Sequence, residues 1–131
     1  MKVLALDHGT VRTGVAVSDE TGTLARPLSV VERVGTDAGF AALLDVIEAQ
    51  GAQRIVVGLP VSLDGSENAQ ARLARAFSER LAAVVDVPVE LYDERFTSRL
   101  ADQRGGSAAR DARAAATLLE DYLRKLDGQI R

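Results

Sequence analysis

Cysteine is absent from this 131-residue chain, so neither a disulfide framework nor a thiolate metal site can form, and a small secreted scaffold stapled by disulfides is excluded. Tryptophan is absent as well, and aromatic residues make up only 4%, so aliphatic side chains must fill the core and no indole is present to stack a base. No segment approaches membrane-spanning length, and the four-residue apolar run after Met1-Lys2 is shorter than the hydrophobic region of a signal peptide. We therefore expect a cytoplasmic protein. The length suits a single domain, residues 1–131, with a real core but without two lobes around a cleft.

The net charge of −3 argues at first against a nucleic-acid partner, yet the charge is unevenly spread. Residues 1–94 carry 8 basic and 14 acidic groups, whereas residues 95–131 carry 8 and 5. The basic excess lies in Arg95, Arg99, Arg104, Arg110 and Arg113, a cluster of the kind a phosphate-facing surface needs, although a solvated helix face has the same composition.

Residues 2–7, 13–18 and 24–32 are short, aliphatic or β-branched, and separated by turn-like segments, which predicts three sequential strands in an antiparallel meander. Thr36-Asp37 starts a helix carrying Phe40, Leu43, Leu44 and Ile47 at helical spacing, and Gly51 stops it. The run "RIVVGLP" at 54–60 reads as a buried strand. A helix from about Ser66 to Val85 would then put Ala69, Leu73, Ala76, Phe77 and Leu81 on one face. Residues 88–92 form a fifth strand running into Asp93-Glu94; a short helix near 97–102 and a final helix over about 108–126 complete the chain. This order predicts an α/β fold with a mixed five-stranded sheet, a three-strand meander followed by parallel crossovers, flanked by helices. It is the order of an RNase H-like domain.

Functional groups in such sheets gather at the carboxyl ends of strands. Asp7 ends the first strand and Glu94 follows the fifth, while Asp111 precedes Ala112, Ala114, Ala115 and Ala116, residues small enough to bring a helix close to a sheet. Each acid alone has a plainer explanation: a turn residue, a surface charge beside Arg95, or an acid favoured by a helix dipole. Brought together, they would repel by about 4 kcal/mol per pair at ~4 Å and an effective dielectric near 20. A divalent cation removes that conflict. Oxygen-only ligands favour Mg²⁺ or Mn²⁺ over zinc, with Asp7 as the bridging ligand of two ions acting on a phosphodiester.

Four stretches, "LALDHGTVRTGVAVSD", "VVGLPVSLDGSENAQA", "YDERFTS" and "DARAAATLLEDYL", resemble in content and order the YqgF/RuvX family, described as pre-16S rRNA nucleases or Holliday-junction resolvase-like proteins. The resemblance implies an RNase H-like fold and a metal-dependent endonuclease with catalytic, metal-holding carboxylates at Asp7, Glu94 and Asp111. It further implies structured nucleic acid as partner, either precursor 16S rRNA processed at its 5′ end or branched DNA, the latter calling for a two-fold homodimer. The family's "GLP…DGS" segment falls on Gly58, Leu59, Pro60, Asp64, Gly65 and Ser66. There Gly65 would permit a tight turn and Ser66 would cap a helix whose first amides can receive a phosphate. Two departures stand out: Val11 replaces one of two consecutive basic residues, leaving Arg12 alone in that loop, and Gly105-Gly106 shortens a segment that is longer and more basic elsewhere in the family. The residues expected to touch nucleic acid are Arg12, Arg95, Arg99, Arg110 and Ser66.

The single histidine, His8, sits beside Asp7, but we expect an exposed loop residue rather than a general base. Asp19 is expected to cap the turn at "DETG", and Tyr92 and Tyr122 to pack rather than stack bases. "DHGTVRTG" also resembles the phosphate loop of sugar kinases, actin and Hsp70-type ATPases, which close a second lobe over the nucleotide. A third alternative is a non-catalytic module that binds RNA or the ribosome.

Overall fold

A computed structural model describes residues 1–61, 64–93 and 108–130, with side chains over 109–126 in the last of these segments. The elements are β1 (Val3–Asp7), β2 (Arg12–Ser18), β3 (Ala25–Glu32), α1 (Asp37–Gln50), β4 (Arg54–Leu59), α2 (Ala69–Ala82), β5 (Val89–Asp93) and α3 (Ala108–Ile130). The strands form one sheet in the order β3-β2-β1-β4-β5. β1 pairs antiparallel with β2 and parallel with β4, so the strand ending in Asp7 lies at the centre of the sheet.

Alternation along the strands divides the core between the two faces. Leu4, Leu6, Val15, Ile55 and Val57 pack against Phe40, Leu43 and Ile47 of α1 and Phe77 and Leu81 of α2. Val3, Ala5, Ala16 and Val56 meet Ala115, Ala116, Leu118, Leu119, Tyr122 and Leu123 of α3. Asp7, two residues beyond Ala5, therefore faces α3.

α1 begins where expected: the Thr36 side chain accepts a hydrogen bond from the Gly39 amide at 3.0 Å, and Gly51 closes the helix. The expected Ser66–Val85 helix is corrected to Ala69–Ala82, with Asn68 as N-cap, its Oδ1 accepting from the Ala71 amide at 2.9 Å. Ser66 does not cap it, because its amide and hydroxyl both donate to Asp64 Oδ1, at 2.9 and 2.7 Å, in a local turn. Gly65 supplies the φ of 88° that this turn requires. The buried face of α2 is also rotated from the one expected. Ala71, Ala74, Phe77, Ser78 and Leu81 are buried, whereas Leu73 is exposed together with Ala69 and Ala76. Ala71 and Ala74 present little bulk where the helix meets Leu59, so the small residues, not the large Leu73, set the contact. The expected helix near 97–102 lies outside the described residues. Among the described residues, no helix is long and apolar enough to cross a membrane.

Candidate active site

The centre of the site is made by a glycine. Gly14 of β2 is the register partner of Asp7, so the two Cα atoms stand about one strand spacing, ~5 Å, apart. A Cβ on Gly14 would lie 2.0 Å from the Asp111 carbonyl oxygen and 2.6 Å from its carbon. The backbone of α3 therefore rests directly on the strand residue that neighbours Asp7, in the space a side chain would fill. Ala112, Ala114, Ala115 and Ala116 are all buried behind this contact, which is the close approach their size predicts. Asp7 itself is 8% exposed.

Arg12, at the start of β2, meets Asp111 from the strand side. Its Nε lies 2.7 Å from Asp111 Oδ2, and Arg110 Nη2 lies 3.8 Å from Oδ1. The Arg12 N–H is not aligned for a hydrogen bond, so the buried Oδ2 has a counter-charge beside it but no donor. Of the residues expected to touch nucleic acid, Arg12 and Arg110 thus face a carboxylate, while Ser66 directs its donors at Asp64. Glu94, Arg95 and Arg99 lie outside the described residues. Among the described residues, no three His, Cys, Asp or Glu side chains come close enough together to hold a metal ion.

His8 is not the exposed loop residue expected. Its ring stacks on Phe77 of α2, centroids 4.6 Å apart and planes at 27°, on the sheet face away from Asp7. Burial lowers its pKa below the ordinary imidazole value, which favours the neutral ring. The remaining donors suit a hard divalent cation: the Asp7 carboxylate facing α3, the Asp111 carboxylate on α3, no thiolate, the one imidazole turned away, and an Asp111 oxygen that is buried without a hydrogen bond.

Two further expectations are borne out away from the site. Asp19 holds its turn, with Oδ1 accepting from the Thr23 and Leu24 amides at 2.8 and 3.1 Å. Tyr92 and Tyr122 pack edge to face, centroids 5.5 Å apart, and donate hydrogen bonds to Asp121 and Glu90. Sequence reasoning missed the Arg12–Asp111 pair and the role of Gly14; a glycine in the middle of a strand is the signal that marks such a close backbone approach.

The chain is 44% identical over 132 residues to a protein of Anaeromyxobacter dehalogenans named "Putative pre-16S rRNA nuclease", covering 94% of this chain and 96% of that one. A protein of the same name from Maridesulfovibrio salexigens is 40% identical, with 94% and 98% covered. Among solved structures, Thermus thermophilus RuvC superposes with a TM-score of 0.56 at 20% identity, covering 98% of this chain and 97% of that chain, and so shares the RNase H-like fold. The family model described as "RuvX: Holliday junction resolvase" matches residues 1–125, and with these relatives it establishes that the chain belongs to the RuvX family.

Proposed function

We propose that this protein is a single-domain nuclease, residues 1–131, that hydrolyses phosphodiester bonds of structured nucleic acid in the cytoplasm, with precursor 16S rRNA as its substrate and Mg²⁺ or Mn²⁺ as its cofactor. The observation that carries this reading is the seating of Asp111 on Gly14, the strand neighbour of Asp7. It brings two acids, 104 residues apart in sequence, to one end of the central strand. The names of the relatives supply the substrate class.

Asp7, Asp111 and Glu94 are the residues that would hold the metal. A divalent ion bound there lowers the pKa of a water and stabilises charge on the phosphate oxygens. The chain itself contributes position. β1, walled by β2 and β4, fixes Asp7 without loop freedom, and the alanine face of α3 fixes Asp111 against the same sheet. Arg12 and Arg110 offset the carboxylate charge of Asp111 and supply guanidinium groups suited to phosphate.

The family description favours a second substrate, a four-way DNA junction, whose symmetric cleavage calls for a two-fold homodimer. Purified protein with Mg²⁺ or Mn²⁺, incubated in parallel with a precursor 16S rRNA fragment and a four-way junction, distinguishes the two. Metal-dependent cleavage of the RNA by the native protein and none by Asp7→Asn supports the proposal. Cleavage of the junction alone, by a protein that light scattering shows to be dimeric, favours the second reading. Cleavage of neither substrate, or equal cleavage by Asp7→Asn, overturns both.

A further inference from the structure

The contact between Arg12 and Asp111 has the character of an exchangeable charge contact rather than a fixed structural bridge. A structural arginine–carboxylate pair is usually a two-pronged fork with aligned N–H groups. Here the nearest atoms, Nε and Oδ2, are 2.7 Å apart without alignment, no aligned hydrogen bond reaches the buried Oδ2, and among the described residues Arg110 Nη2 stands 3.8 Å from Oδ1. The Arg12 side chain is 31% exposed, so its guanidinium has solvent to move into. Its backbone is fixed as the first residue of β2, paired with Glu32 of β3, so movement is confined to the side chain.

We propose that Arg12 is a positioning residue that competes with the metal ion for Asp111, occupying the carboxylate when the ion is absent and turning toward substrate phosphate when the ion is bound. This rests on the reading of Asp111 as a metal-holding residue. Two positive charges cannot share one carboxylate oxygen without strong repulsion, so an ion that takes Oδ2 displaces the guanidinium. Arginine stays charged at every working pH, so the displaced group keeps its full charge and finds its best partner in an anionic oxygen pair such as a phosphodiester. Metal loading and substrate contact are then linked through one side chain, which keeps the acids compensated while the ion is away.

The test is Mn²⁺ binding to the full chain without nucleic acid, read from the electron paramagnetic resonance signal of free Mn²⁺. The native protein is compared with Arg12→Gln, Arg12→Lys and Asp111→Asn. Removing a partly exposed competing charge should tighten Mn²⁺ binding on the order of fivefold in Arg12→Gln. Arg12→Lys, which keeps the charge, should stay within about twofold of the native protein. Asp111→Asn should lose most of its affinity. If Arg12→Gln binds Mn²⁺ no more tightly while Asp111→Asn loses affinity, the competition is refuted and Asp111 still stands as a ligand. If Asp111→Asn binds Mn²⁺ like the native protein, the assignment of Asp111 fails and the competition with it. A second measurement needs no variant: in ¹⁵N spectra of the native protein, the Arg12 Nε–H resonance should move as Mg²⁺ is added. A resonance unmoved at saturating Mg²⁺ contradicts the exchange.

Discussion

The Asp111 carbonyl oxygen occupies the space in which Gly14 would carry a Cβ, 2.0 Å from that position, and through this contact helix α3 is registered on the strand beside Asp7. A backbone carbonyl inside a helix cannot swing aside as a side chain can. Gly14→Ala should therefore push α3 off the sheet and destabilise the fold by about 2–3 kcal/mol, at the upper end of overpacking costs. Because Asp111 moves with the helix, cleavage should fall about a hundredfold even at temperatures where the variant stays folded. Denaturant melts together with single-turnover cleavage assays check this; a variant with native stability and native rate would show that the contact is not tight.

Asp7→Asn and Asp111→Asn keep the size of each side chain and remove its charge. Each should slow cleavage about a thousandfold or more, the loss expected when several kcal/mol of transition-state charge stabilisation disappear. Neither should lower thermal stability by more than about 1 kcal/mol, since each substitution keeps the side chain's shape and the ion pair lost from Asp111 is partly exposed. Parallel melting curves and rate measurements separate the two effects.

Tyr122 ties three elements together away from the acids. Its hydroxyl accepts from Arg54 Nη1 of β4 at 2.8 Å and donates to Glu90 Oε1 of β5 at 3.2 Å, while its ring is buried under α3. Tyr122→Phe keeps the ring and should cost about 1 kcal/mol. Tyr122→Ala also opens a cavity and should cost about 3–5 kcal/mol. Urea denaturation of the two variants gives both numbers, and near-equal losses would contradict the division between ring and hydroxyl.

Asp19 sets a pH dependence. The hydroxyl of Thr21, at 2.7 Å, and then the Thr23 and Leu24 amides hold its carboxyl down to about 2, against an ordinary 3.8. A group whose folded pKa is depressed adds stability that is present above its unfolded value and is lost as pH falls through the folded value. The melting temperature of the native protein should therefore fall between about pH 4 and pH 2 more steeply than that of Asp19→Asn. Parallel slopes for the two proteins over that window would show that Asp19 does not set the acid sensitivity.

Much of the fold could be read from the sequence because strand and helix periods differ. The unbroken aliphatic runs of β1 and β4 mark strands covered on both faces, and both are buried at the centre of the sheet. Asp7 could be read for the same reason, as the first carboxylate after a fully buried run. The face of α2 could not, because two patterns at helical spacing share Phe77 and Leu81, and only the packing of Ala71 and Ala74 against Leu59 chooses between them. Nor could the start of α2, where Ser66 and Asn68 are both good caps and the competing bond from Ser66 to Asp64 leaves the role to Asn68. His8 and Arg12 depended on tertiary contacts: the ring found Phe77, and the guanidinium turned inward to Asp111, where an outward phosphate contact was expected.

Under the proposed function Asp7 and Asp111 hold one metal ion. Crystals grown with MnCl₂ and measured at the manganese absorption edge reveal where the ion sits. An anomalous peak is expected within coordination distance, about 2.0–2.6 Å for a hard cation and oxygen ligands, of both carboxylates. A saturated crystal with manganese bound elsewhere, or with no ion touching either acid, would contradict it.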